Sequence, residues 1–222
     1  MADGAFIEGL ELLAGAGDWG ANEIRAYLVN ADAAGPAANS RRVTAQTNVA
    51  APVFTTGANH GLSVGDWVVL NGHNPSTLNG VWQVATTPAA NTFTLTGVPG
   101  SPGAMVAGGF LVNLNAANAS VEAPSGARAA VGGTRLTSKT NANGQLSAAV
   151  ITWSGVAGGP DTYDYVLLAR THATDGSGPD ATETNWVPIS AHFPSNFPLP
   201  ANPGTVNWTP DGTNGLIKIL PK

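Results

Sequence analysis

Four histidines, at positions 60, 73, 172 and 192, are the imidazoles of this chain, and the chemistry open to them is that of a metal ligand or a general base. Their spacing supports neither use: no pair stands four residues apart on a helical pattern, and HExxH is absent. His60 opens a turn, where bonding to backbone groups is the expected role. Cysteine is also absent, which removes thiolate zinc ligands, thiol nucleophiles and disulfides. A nucleophile would have to be Ser or Thr, yet no GxSxG elbow occurs, and Ser125-Gly126 and Ser154-Gly155 read as turns.

Carboxylates are the better place to look for a site. Asp161 and Asp164 flank one turn, and Asp175, Asp180 and Glu183 crowd another, DGSGPDATE. Those oxygens could hold a calcium ion at a subunit interface. The EF-hand spacing is missing, however, so a solvated acidic loop is the expected reading. The glycine runs GAGDWG and GVAGG do not lead a strand into a helix, so dinucleotide binding has no support. Trp67 and Trp82 could stack on a sugar ring, although a tryptophan must bury so much area that one of them should fill an interior. The expectation is therefore no catalytic residue, no metal site and no cofactor. The candidate interaction residues are Trp67, Trp82, His60, Asp175 and Asp180.

The elements that must position these residues read as mainly β. The stretch LSAAVITWSGVAGGPDTYDYVLLAR, residues 146–170, reads as two strands joined by a glycine and proline turn, with both faces of each strand buried. Ahead of it, Phe6, Leu10 and Leu13 recur at helical spacing, which predicts a helix over Ala2–Ala14. Trp19 then anchors a corner leading into a strand over Glu23–Asn30. From residue 43 the pattern changes to short alternating segments, HGLSVGDWVVLNG, LNGVWQVAT and NTFTLTG, which predict a small β-barrel over residues 43–107. Gly109–Asn115, Thr184–Ala191 and a closing hairpin of Thr205–Trp208 with Gly215–Leu220 complete the rest. The predicted architecture is a β-sandwich with one N-terminal helix, built from residues 1–42 and 108–222, carrying the inserted barrel.

Only 10% of the residues are Asp, Glu, Lys or Arg, against roughly 25% in an average globular protein. Thr, Asn, Ser and Gly supply the polarity instead, a composition that suits extensive packing contacts because interface cores are depleted of charge. The net charge of -5 argues against a nucleic-acid surface, which needs clustered Lys and Arg. No segment is long and apolar enough to predict a membrane span, and no basic region precedes an apolar run at the N-terminus, so a cytoplasmic origin is expected.

Several of these segments resemble a known family. DWGANEIRAYLVN, RLTSKT with NANGQLSAAVITW, YDYVLLAR and GTVNWTPDGTNGLIKIL are similar, in order and pattern, to tailed-phage virion structural proteins. HGLSVGDWVVLNG with LNGVWQV and NTFTL resembles a small β-barrel repeat of phage tail and fibre proteins, and its His60-Gly61-Leu62 to Gly65-Asp66 pattern is the more specific of the two likenesses. The insertion after Asn30 departs from the shorter family members. The resemblance implies a non-enzymatic virion protein, assembled in a host cytoplasm. Its expected role is head decoration or cement, in contact with the major capsid protein and with copies of itself as a homotrimer. The alternative is a tail or fibre subunit, in contact with tail proteins, whose barrel binds host-surface glycan.

Overall fold

The computed structural model describes residues 4–5, 19–29, 42–115, 130–142, 145–156, 163–181, 186–197, 199, 204–210 and 217–218. Among them the fold is mainly β, and no α-helix is present. The centre is a five-stranded antiparallel sheet in the order β1 (Gly4–Ala5), β14 (Val187–His192), β13 (Tyr165–His172), β2 (Glu23–Val29), β9 (Ala130–Arg135). Strand β13 is apolar without interruption from Tyr165 to Ala169, as expected of a strand covered on both sides. Its register sets Leu167 opposite Tyr27 and Leu168 opposite Ala26, so the alternation of side chains divides the sheet into two faces.

One face carries Ile24, Ala26, Leu28, Val166 and Leu168. It packs with Trp19, in the turn before β2, and with Leu146, Ile151, Trp153 and Val156, which come from a layer of two smaller sheets. These are β10 (Thr140–Ala142), β11 (Gln145–Ser147) and β16 (Ile217–Lys218), and β12 (Ile151–Val156) with β15 (Gly204–Trp208). Trp19 donates its Nε1–H to Ser147 O at 3.0 Å, and Trp153 donates to Ala26 O at 3.3 Å. Each indole therefore fills core volume and satisfies its one polar atom. The opposite face carries Tyr27, Val29, Tyr165, Leu167 and Ala169 and packs against Val69, Phe110, Val112 and Leu114.

Val69, Phe110 and Val112 belong to a six-stranded curled sheet, a half-barrel, in the order β3 (Val43–Gln46), β4 (Val53–Thr56), β7 (Thr92–Leu95), β6 (Gly80–Ala89), β5 (Trp67–Asn71), β8 (Phe110–Asn113), and Leu114 directly follows β8. Phe54, Val68, Leu70, Leu78, Val84, Phe93 and Leu111 fill its concave side. The two edges meet at one end. Arg42 bridges Phe110, and Val43 N–H donates to Gly109 O at 2.8 Å. That approach requires glycine, because a Cβ on Gly108 would lie 1.7 Å from Val43 O and one on Gly109 2.3 Å from Asn71 O.

Four expectations are corrected. Gly4–Ala5 pair with Ser190–Ala191 as an edge strand, so the helix over Ala2–Ala14 is not supported; Phe6, Leu10 and Leu13 lie outside the described residues. The central hairpin does not form. Strand β12 pairs with β15 while β13 pairs with β14 and β2, so the two strands of residues 146–170 stack face to face in different layers. Sequence alternation cannot distinguish these arrangements, because a strand covered by another layer and a strand paired beside it bury the same residues. The closing hairpin fails for the same reason, β16 pairing with β11. Finally, Phe110–Asn113 joins the curled sheet beside β5 and turns only its Phe110, Val112 face to the five-stranded sheet.

Candidate functional site

The residues capable of chemistry are committed to internal bonds. In the HGLSVGD segment, His60 Nδ1 accepts the N–H of Leu62 at 2.9 Å, which leaves the ring proton on Nε2 to be donated to Thr92 O at 3.1 Å. The ring is 3% exposed and stands edge-on to Phe93. Gly61 and Gly65 take positive φ, the backbone conformation that favours glycine. Asp66 Oδ2 accepts from Ser63 N–H at 2.9 Å and from Asn113 Nδ2 at 2.8 Å. The pattern locks a turn onto β7 and β8, and His60 is removed from any surface.

His73 performs the same service at the other end of β5. Its Nδ1 accepts the N–H of Gly109 at 3.1 Å and its Nε2–H donates to Gln46 Oε1 at 2.7 Å. Asn79 clasps its backbone, Oδ1 accepting from His73 N–H at 2.8 Å and Nδ2 donating to His73 O at 2.9 Å. Burial lowers the imidazole to about 4, because charging it would place a cation among Phe54 and its neighbours.

The acidic loop after β13 is held by a charged cluster that composition did not reveal. Glu23, 0% exposed, accepts from Arg25 Nε at 2.9 Å, faces Arg135 Nε at 3.3 Å and accepts the N–H of Gly176 at 2.7 Å. Asp175 takes a two-pronged bond from Arg135 at 3.2 and 2.8 Å and a third from Lys139 at 2.8 Å. Lys139 also donates to Asn22 O. The Arg135 hydrogen bond, aided by Lys139, draws the Asp175 carboxyl down to about 2. Asp180 turns instead to His172 Nε2 at 3.4 Å. The two aspartates do not converge, and among the described residues no three His, Cys, Asp or Glu side chains gather as a metal site. Asp161 and Glu183 lie outside the described residues.

Sequence reasoning also missed a Ser–His contact. Ser190 Oγ and His192 Nε2 lie 2.7 Å apart, two residues apart on one face of β14, with the His192 ring 5.0 Å from that of Trp208. Both are buried, at 2% and 5% exposure, which closes the pair to a substrate.

The two tryptophans of the curled sheet separate by strand alternation. Register sets Trp67 opposite Gln83 and Val68 opposite Trp82, so Trp82 faces inward and Trp67 outward. Trp82 packs on the concave core and donates Nε1–H to Leu78 O at 2.7 Å. Trp67 is 42% exposed, with Val81 at 44% on the same face and Val64, at 64%, in the turn before it. Within residues 43–115 no Asp, Glu, Lys or Arg side chain is exposed. From Val43 to Asn115 the residues that could carry a charge are Asp66, His60 and His73, and all three are buried. This uncharged surface, with Trp67 on it, is the candidate functional site. No family model, curated protein or solved structure matches the chain.

Proposed function

We propose that the chain is a non-enzymatic virion structural protein of a tailed phage, a decoration or cement subunit that packs on the head shell through subunit contacts. In this reading the five-stranded sheet and the two smaller sheets make a β-sandwich host, and the curled sheet, which β8 completes, is an inserted module that reaches a neighbour. The observation that carries it is the curled sheet's surface, which from Val43 to Asn115 exposes apolar and amide or hydroxyl groups and buries every ionisable side chain. Such a surface forms contacts without desolvating charge, the costly part of association. The side chains that could do chemistry are spent on internal bonds, as with His60, His73, Asp66 and Asp175. The test is to mix labelled protein with purified heads and purified tails. Binding to heads and a rise in head thermal stability are expected; binding confined to tails overturns the assignment.

The second reading is a tail or fibre subunit whose curled sheet binds a host-surface glycan. Exposure of Trp67 on an uncharged face favours it. Glycan-array binding that is lost in Trp67→Ala, with head binding absent, would establish this alternative. Trp82 is the wrong residue for that test because its indole faces the interior.

A further inference from the structure

We infer that Asn71–Gly72, at the end of β5, is a site of spontaneous covalent modification, where Asn71 cyclises to a succinimide and opens to aspartate or isoaspartate. The Gly72 amide nitrogen bonds to Asn71 Cγ, and the carboxamide nitrogen leaves as ammonia, carrying the proton that the amide lost. Water then adds to either carbonyl of the ring and breaks one C–N bond, giving an aspartyl or an isoaspartyl linkage. Solvent water is the one co-reactant, and nothing is oxidised or reduced.

Attack needs the amide nitrogen brought close to Cγ, and so a side chain able to turn toward an N–H that is not held elsewhere. A following glycine puts no Cβ in the way. Among the described residues three dipeptides have the Asn-Gly or Asp-Gly sequence that cyclises, at 71–72, 79–80 and 175–176, and their surroundings separate them. The Asn79 carboxamide is clamped at both ends, Oδ1 accepting from His73 N–H at 2.8 Å and Nδ2 donating to His73 O at 2.9 Å. Asp175 is held by Arg135 and Lys139, and the Gly176 N–H is donated to Glu23 Oε2 at 2.7 Å. The Asn71 carboxamide and the Gly72 N–H make no hydrogen bond among the described residues. Gly72 is exposed, at a φ of +68 with open space around it, so solvent reaches the reacting atoms.

The position gives the reaction a consequence. Asn71 stands directly opposite Phe110, over whose ring the Arg42 guanidinium lies at 4.8 Å, so the new carboxylate arises on the face that carries this cation. It becomes the one carboxylate of residues 43–115 that is not buried. Isoaspartate also routes the main chain through the side-chain carbon, where the Asn71 carbonyl oxygen already approaches Gly109 so closely that a Cβ there would lie 2.3 Å away.

The experiment is incubation of the full chain at mildly alkaline pH, folded and in parallel in guanidinium chloride, followed by peptide mass spectrometry with fragmentation that distinguishes isoaspartate from aspartate at each site. Rates in the unfolded sample report the effect of local sequence, and each folded rate is divided by its unfolded counterpart. Circular dichroism before and after incubation verifies that the folded sample stays folded. Expected is reaction at Asn71 in the folded chain, with the normalised rate at Asn79 slower by at least roughly tenfold because two hydrogen bonds must break first, and no isoaspartate at Asp175. A folded chain that stays intact at Asn71 while the unfolded chain reacts there overturns the inference. Equal normalised rates at Asn71 and Asn79 overturn it as well.

Discussion

Arg42 and Phe110 face each other across an antiparallel bridge, and the guanidinium of the first sits 4.8 Å from the ring centroid of the second. The same guanidinium lies 3.7 Å from the carboxylate of Asp164, which is buried. One side chain thus ties the start of the curled sheet to its end and both to the strand leading into β13. Arg42→Ala removes the cation–π contact and one partner of a buried carboxylate, and should cost about 1–3 kcal/mol in chemical denaturation. Arg42→Lys keeps the charge without the planar stack and should lose less.

The seam at Gly108 is the tightest glycine position among the described residues. Gly108→Ala must displace the Val43 carbonyl, and a loss of about 3 kcal/mol is expected, with the amides of β3 exchanging faster than those of β13. Gly61→Ala meets open space and pays only for its φ of +60, so about 1 kcal/mol should separate it from wild type.

His73 sets an acid limit on stability. Its folded value, about 4, lies below the ordinary 6.5, so above pH 6.5 both states are neutral and the contribution is complete. As pH falls from 6.5 to 4 the unfolded chain takes up a proton that the folded one refuses, and stability declines by on the order of 2–3 kcal/mol. Urea midpoints measured across this window should fall for wild type and stay flatter for His73→Gln.

Asp175 acts in a lower window. Its folded value of about 2 lies below that of the unfolded carboxylate, so its contribution is present above pH 4 and is lost as pH falls from 4 to 2. Asp175→Asn leaves Lys139, whose side chain is 3% exposed, without its carboxylate. A loss of roughly 1–2 kcal/mol is expected, together with faster hydrogen exchange at Gly176, whose amide is bonded to Glu23 beside the same arginine.

Truncating the two tryptophans should separate core from surface. Trp82→Ala opens the concave core and strands the Leu78 carbonyl, for about 3 kcal/mol. Trp67→Ala should change stability by less than about 1 kcal/mol.

Strand content was readable from period-two alternation, and β2, β5, β7 and β13 fall where Ile24, Val68, Phe93 and Leu167 predict them. Their partners were not readable. Ile151 and Leu168 are buried against each other's layer, and alternation is the same whether two strands lie side by side or face to face. The roles of His60 and Trp19 followed from local turn chemistry and from the area of an indole. The Glu23, Arg135, Lys139 and Asp175 cluster joins three segments far apart in sequence, so no local pattern could expose it. The inward turn of Trp82 and outward turn of Trp67 depend on a register that opposes Val68 to Trp82, which a single strand's sequence does not contain.

The bridge between Arg42 and Phe110 also governs how the chain bears load. Tension arriving along the backbone at Arg42 can cross to Phe110 through the bridge and through the Val43 to Gly109 hydrogen bond without travelling around the curled sheet. The sheet hangs from this shunt as a slack loop, mechanically silent until the shunt opens. A pull on the two ends of the chain should therefore break the five-stranded sheet or the shunt first, and only then release the length stored between residues 43 and 109.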